Sequence, residues 1–154
     1  AIEGNIHRRE ISFVGNVRCV SGPVESWNGT IDADDPKGLG EQDVLLTCDR
    51  LKVTEIKPRP TERSSLELEA IGNTVVEGRT FTARTHRMAY AQAKDLLILE
   101  GTGNVDARLW RQTAPGAPLA QAAARKILYW RGTNRVEVDD ARFLDVGGLP
   151  GGKK

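Results

Sequence analysis

Aromatic side chains are scarce, 5% of the 154 residues, and methionine occurs once. With 39% hydrophobic residues in all, the core must be thin and built from Val, Ile, Leu and Ala, a composition that favours sheets with one face in water. No charge of one sign dominates either: 22 Lys+Arg stand against 21 Asp+Glu, a formal net of +1. That balance excludes a polybasic nucleic-acid binder and an acidic tail protein. No run approaches the roughly 18 apolar residues that span a bilayer, so the chain is expected not to be membrane-spanning. No secretory leader precedes the first strand pattern, and if the protein is exported the leader is expected to have been removed. Two cysteines, Cys19 and Cys48, make no disulfide framework and lie in no CxxC or Cys/His cluster. They are read as two buried thiols, with one bridge as the alternative in an oxidising compartment.

Helix signals are nearly absent as well. The best candidate, residues 120–126, is alanine-rich but follows Pro115, Gly116 and Pro118 without a cap, and is read as the end of a loop entering a strand. Strand signals are frequent. Leu66-Glu67-Leu68-Glu69-Ala70, Phe81-Thr82-Ala83-Arg84 and Val136-Glu137-Val138-Asp139 alternate apolar with polar residues, the period of a sheet with one dry face. Three loop-like insertions, 21–43, 57–65 and 112–118, decorate this pattern without marking a domain boundary. The expected organisation is one all-β domain over residues 1–146 and a Gly-rich flexible tail over 147–154. A start at Ile2, already in strand-like sequence, suggests a piece of a longer chain.

The informative feature is a repeat. Six asparagines and sixteen glycines predict roughly 0.6 Gly-Asn pairs by frequency, yet four occur: Gly4-Asn5, Gly15-Asn16, Gly72-Asn73 and Gly103-Asn104. Each sits between apolar strand residues, so each reads as a bulge or corner where Gly and Asn take the left-handed conformation. A second unit alternates with it: a small residue, two polar ones, then apolar-x-apolar, as in Cys48-Asp49-Arg50-Leu51-Lys52-Val53 and Ala124-Arg125-Lys126-Ile127-Leu128-Tyr129. Ala83 followed by Met88-Ala89-Tyr90 is a stretched version. Alternating corners and strands describe a repetitive antiparallel sheet folded over on itself, a half-open roll or a solenoid-like sandwich, in which Cys48, Ala83 and Ala124 leave room inside.

This alternation of apolar-x-Gly-Asn-Val with small-x-x-Leu-x-Tyr/Val, recurring over most of residues 2–146 and closest over 76–101, resembles the OstA-like family of LptA, LptC and LptD N-terminal-type domains. The resemblance implies an antiparallel β-jellyroll, or β-taco, of the periplasm or outer envelope that takes part in lipopolysaccharide transport. It implies a V-shaped interior that shields acyl chains of lipopolysaccharide or a lipid A-like glycolipid, and edge strands that stack against other OstA-like domains. The three long insertions depart from the family pattern.

Inward apolar positions fit either a closed core or an occupied cleft, since burial is worth the same against protein or lipid; the resemblance selects the cleft. Its candidate lining is Leu46, Cys48, Leu51, Val53, Leu68, Phe81, Ala83, Met88, Tyr90, Leu97, Leu99, Ile127 and Tyr129, with Leu66, Leu109, Val136 and Val138 in the same pattern. Arg84, Arg87, Arg125 and Lys126 follow the small positions and are candidates for a rim that meets lipid phosphates, against an ordinary mixed-charge surface.

Nothing points to catalysis, a metal or a cofactor. His7 and His86 stand alone among arginines and read as solvated. Asp34-Asp35 reads as turn chemistry and Asp139-Asp140 points to opposite faces of a strand. No nucleophile elbow, Walker loop or dinucleotide fingerprint occurs, and the remaining acids Asp106, Glu137 and Asp139 are dispersed. Trp110 and Trp130 are expected at a sheet edge or interface, apart from Trp27 in a loop. The principal alternative to a lipid carrier is a scaffold of the same roll with a closed core, stacking edge to edge without ligand.

Overall fold

The computed structural model describes residues 1–5, 8–21, 43–57, 59, 61, 63–114 and 116–144. These form nine strands: β1 (Ile2–Asn5), β2 (Glu10–Ser21), β3 (Val44–Ile56), β4 (Ser65–Gly78), β5 (Phe81–Ala91), β6 (Leu96–Glu100), β7 (Ala107–Arg111), β8 (Ala120–Trp130) and β9 (Arg135–Leu144). The fold is all-β, and every pairing is antiparallel. The alternating runs at 66–70, 81–84 and 136–139 all lie in strands, as their period demands. The alanine-rich stretch departs from expectation: residues 120–126 are strand throughout, β8 beginning at Ala120 itself. Pairing with β7 and β9 on both sides outweighs the weak strand propensity of alanine.

The strands follow one another as an up-and-down sheet from β1 to β5. Beyond β5 the pairings close a circuit, β5–β6–β8–β7–β5. The circuit arises because β6 and β7 share one edge of β5: Arg87–Ala91 pairs with β6 and Phe81–Arg84 with β7, while β4 occupies the other edge. β8 meets them in the same way, residues 126–130 against β6 and 120–124 against β7. β6 and β7 are therefore two halves of one interrupted ribbon.

That interruption belongs to a row. The ladder slips between Val14 and Val17, between Thr47 and Arg50, and between Ile71 and Thr74, in register with the 101–106 connection. Two Gly-Asn pairs produce these slips, with Gly15, Asn16, Gly72 and Asn73 all at positive φ. Gly103 has φ +53° in the β6–β7 connection, where Thr102 and Val105 exchange backbone hydrogen bonds. Gly4-Asn5 differs: it ends β1 inside the regular ladder, Gly4 keeps a negative φ, and Asn5 Oδ1 accepts from the Arg8 amide at 3.1 Å across the turn to β2. It marks a turn because it lies at the end of β1 remote from the bend line, opposite Ile11 and Glu10.

A slip of one residue exchanges the two faces of a strand, so inward positions are 46 and 48 before the bend in β3 and 51 and 53 after it. The same exchange occurs in β5 (81, 83, 85, then 88, 90) and β8 (120, 122, 124, then 127, 129). Both halves keep their apolar face on one side, and the sheet folds over that side. The Phe81 and Tyr129 rings, from opposite halves, meet edge to face with centroids 5.4 Å apart. One core cluster spans both halves. Where the walls converge the inner residues are small or polar-capped: Cys48, Ala70, Thr74, Ala83, Ala107 and Ala124 are all buried.

Gly72 holds a tight corner of this row. At φ +82° a Cβ would lie 2.4 Å from Asp49 Oδ2, the same oxygen that accepts from Asn73 Nδ2 at 3.0 Å. Gly72→Ala is expected to lower stability by about 2 kcal/mol, combining left-handed strain with displacement of Asp49. Chemical denaturation against a Gly15→Ala control, where nothing lies within 4 Å, checks this; equal losses would mean that strain alone acts.

Candidate functional site: a cleft between the folded halves

Away from the bend the two halves diverge around a cleft of about 670 Å³. One wall comes from the half containing the β4–β5 turn, with Cys19, Val44, Leu46, Val76, Arg79, Thr80 and Phe81. The other comes from the half containing the β5–β6 and β8–β9 turns, with Leu68, Met88, Tyr90, Gln92, Asp95, Leu97, Tyr129, Arg131 and Gly132. The aliphatic residues form the interior. Arg79, Gln92, Asp95 and Arg131 belong to the turns at the free ends, opposite the bend, so the cleft has an apolar floor and a polar mouth.

Every groove candidate faces this interior or packs against its core, but two populations separate. Leu46, Leu68, Phe81, Met88, Tyr90, Leu97 and Tyr129 line the cleft. Cys48, Leu51, Val53, Ala83, Leu99 and Ile127 are absent from its lining and belong to the packed region. Leu109 is likewise in the core, Val136 and Val138 pack against it, and Leu66 is exposed.

The expected basic rim lies elsewhere. Arg87 points to the outer face, where it donates to Glu69 Oε2 at 2.8 Å and Glu100 Oε2 at 3.0 Å; these bonds, that to Glu69 foremost, raise its pKa. Lys126 joins the same cluster, 3.8 Å from Glu100. Arg84 is exposed, also outward, and Arg125 reaches the Gly103 carbonyl at 3.0 Å beside the bend. None of the four lines the cleft. Bulge residues that follow a small inward position must point outward, which is why this row is remote from the mouth. Among the described residues the cations in the lining of the mouth are Arg79 and Arg131, which their turn positions did not single out.

A polar latch joins the two free ends on the β7–β9 side. Arg111 ends β7 facing inward, 5% exposed, and donates from one guanidinium nitrogen to the Asn134 carbonyl at 2.5 Å and to its Oδ1 at 3.3 Å. Tyr129 donates to the same Oδ1 at 3.2 Å. Burial lowers the pKa of Arg111 and raises that of Tyr129. Tyr90 donates to Asp95 Oδ1 at 2.9 Å, and burial followed by this bond raises its pKa too. Arg131 stacks over Phe81, 5.7 Å from the ring centroid. These hydroxyls stay neutral donors well above neutral pH.

Cys19 and Cys48 are free thiols on neighbouring strands. Register pairs Cys19 with Leu46 and Cys48 with Val17, so the cysteines are diagonal neighbours, beyond ordinary bridging distance. Burial, then the charge of Asp49, pushes the Cys48 thiol from 9.0 up to about 11, and burial raises Cys19. A thiol with a raised folded-state pKa makes the folded chain bind more protons than the unfolded one, so stability is full below pH 9 and falls between pH 9 and about 11. The urea midpoint is expected to drop between pH 8 and 10.5 in the wild type and to drop less in Cys48→Ala; an identical drop in both would remove Cys48 as the cause.

The remaining sequence candidates are separated. Asp106 precedes β7, while Glu137 and Asp139 are exposed on β9, Glu137 paired with Arg135. Among the described residues no three His, Cys, Asp or Glu side chains group as metal ligands, and no helix is long and apolar enough to cross a membrane. His86 is exposed beside the bend. Trp110 and Trp130 occupy strands paired on both sides, facing outward, rather than an edge; Arg135 covers the Trp130 ring at 4.6 Å. His7, Trp27, Asp34-Asp35, the side chain of Asp140 and the 147–154 tail lie outside the described residues. Neither a protein-family model nor a curated protein matches the chain.

Proposed function

We propose that this protein is a non-enzymatic lipid-binding module of a bacterial-type envelope, an OstA-like β-taco that holds acyl chains of lipopolysaccharide or a lipid A-like glycolipid between its two halves. The observation that carries the reading is the cleft itself: aliphatic side chains from both walls inside, charged and hydroxyl groups at the free ends. An amphiphile needs that polarity, tail desolvated and head in water. The same reading makes the protein periplasmic or outer-envelope associated and gives it a place in lipopolysaccharide transport.

Leu68 provides the test, because it lines the cleft yet is only half buried, so a carboxylate there can remain hydrated while it meets any bound chain. Leu68→Asp is expected to fold, with unchanged circular dichroism, and to lose lipid A binding at least tenfold, since roughly 1.5–3 kcal/mol of apolar contact is replaced by a charge. Native mass spectrometry with lipid A measures it. Full binding by the folded variant would remove the cleft from the reading.

A second reading rests on a different observation. β1 is four residues long, wholly exposed, and pairs only with β2 among the described strands, so its outer edge is available for strand addition. The scaffold alternative, or stacking with other OstA-like domains, predicts concentration-dependent assembly without lipid. A strict monomer in sedimentation at high concentration would sink it.

A further inference from the structure

The cleft stops where the Phe81 and Tyr129 rings meet, but the apolar inner faces do not. Beyond the rings one wall continues with Leu109, Ala120 and Ala122, and the other with Val136 and Val138. At their free ends these two faces are joined through a single residue of the β8–β9 turn. The Asn134 carbonyl accepts from Arg111 Nη1 at 2.5 Å. Its Oδ1 accepts from the same nitrogen at 3.3 Å and from the Tyr129 hydroxyl at 3.2 Å.

This tie is of a kind that water replaces. Arg111 is 5% exposed, yet its hydrogen bonds both go to uncharged oxygens. Among the described residues no carboxylate pairs with it, and burial holds its pKa down. A guanidinium enclosed without a counter-charge carries a desolvation penalty that opening returns, because water then takes over its hydrogen bonds. The bend is held differently. There Cys48, Ala70, Ala83 and Ala124 are enclosed in the core cluster, and β3, β4, β5 and β8 run through unbroken. The walls are therefore joined weakly beside the ring pair and firmly at the bend, which is the arrangement of a hinged opening.

We propose that Arg111, Asn134 and Tyr129 form a gate: when Asn134 releases Arg111 the free ends part on this side, the ring pair separates, and the cleft extends past Phe81 between Leu109 and Ala122 on one wall and Val136 and Val138 on the other, while the bend stays closed. The purpose of the gate rests on the acyl-chain reading, since a longer apolar floor accepts more of a chain. The opening itself needs no ligand.

Two buried thiols in one intact chain test it. Ala122→Cys places a thiol behind the gate, and the native Cys48 reports the bend; Cys19, which lines the open cleft, is removed as Cys19→Ala. Iodoacetamide labelling without ligand, followed by peptide mass mapping, gives both rates together. Asn134→Gly removes the Oδ1 acceptor and keeps a residue at ease with the φ of +53°. It should speed labelling at position 122 about tenfold and leave Cys48 unchanged. Arg111→Met removes the enclosed charge and keeps an apolar filler, and should slow labelling at position 122 about tenfold. One common rate for both thiols, shifting together in both variants, would mean that the chain opens only by unfolding and would overturn the gate. So would labelling at position 122 that neither variant changes. Lipid A is then titrated into the wild type and Arg111→Met. Affinity should fall about tenfold in Arg111→Met, in proportion to the open population; equal affinities would overturn the link between gate and cleft. No lipid A bound to either, with the labelling pattern as expected, would end the acyl-chain reading and leave the gate standing.

Discussion

Leu99→Asp is expected to leave the chain unfolded at 25 °C. Leu99 has no exposed surface, sits on the inner face of β6, and is flanked across the ladder by Met88 and Ile127, themselves buried. Truncating a fully buried leucine costs about 2–5 kcal/mol. The aspartate places a carboxylate among the apolar side chains of the core cluster, a penalty of several kcal/mol more even if it takes up a proton. A domain of this size has roughly 5–15 kcal/mol to lose. Far-UV circular dichroism and urea titration measure the outcome, and a cooperative transition with a midpoint near that of the wild type would show that the packing around Leu99 is loose. The contrast with Leu68→Asp is the useful one. Both leucines face inward, but Leu68 lines the cleft and is half exposed, whereas Leu99 is enclosed by protein. Loss of ligand by the first and loss of fold by the second separate a binding surface from a core.

That separation marks how far the sequence carries. Period-two alternation, with its phase exchanged at each corner, places Leu46, Leu51, Met88, Leu97, Ile127 and Tyr129 on one face, and they are on one face. Gly15-Asn16 and Gly72-Asn73 bend the sheet because both residues of each pair adopt the left-handed conformation, a preference local to those residues. The small residues Cys48, Ala83 and Ala124, expected to leave room inside, are instead packed in the core cluster where the walls converge, because the facing half fills the space that their short side chains leave. What spacing does not carry is distance from the bend. Leu97 borders the cleft and Leu99, two residues closer to the bend, does not, although both obey the same alternation. The depth at which the two walls come into contact is set by the facing half, tens of residues away. The polar mouth was hidden for the same reason. Arg79 and Arg131 sit in ordinary turns, and only the fold-over brings those two turns around a common opening. Arg87, by contrast, follows a small position in sequence but is committed to Glu69 and Glu100 on the outer face.

Ala124→Leu addresses the fold-over itself. Ala124 lies on β8 opposite Ala107 on one side and Ala141 on the other, and has no exposed surface. A leucine adds three carbon atoms at the point where the walls are closest, and the neighbouring inner positions cannot yield, since Ala107 and Ala83 are equally enclosed. The strain can be relieved only by opening the angle between the halves, which separates Phe81 from Tyr129 and pulls Arg111 away from Asn134. Overpacking of this kind costs about 3 kcal/mol, or a fall in Tm of about 6–12 °C for a chain of this length. Gln121→Leu on the same strand is exposed and should change stability by less than about 0.5 kcal/mol, so the pair isolates position from residue type. The Tyr129 environment reports the opening directly: near-ultraviolet circular dichroism of the ring pair should weaken in Ala124→Leu and persist in Gln121→Leu. If Ala124→Leu melts with the wild type and keeps the aromatic signal, the walls at the bend are further apart than these contacts require, and room exists there to lengthen the floor of the cleft.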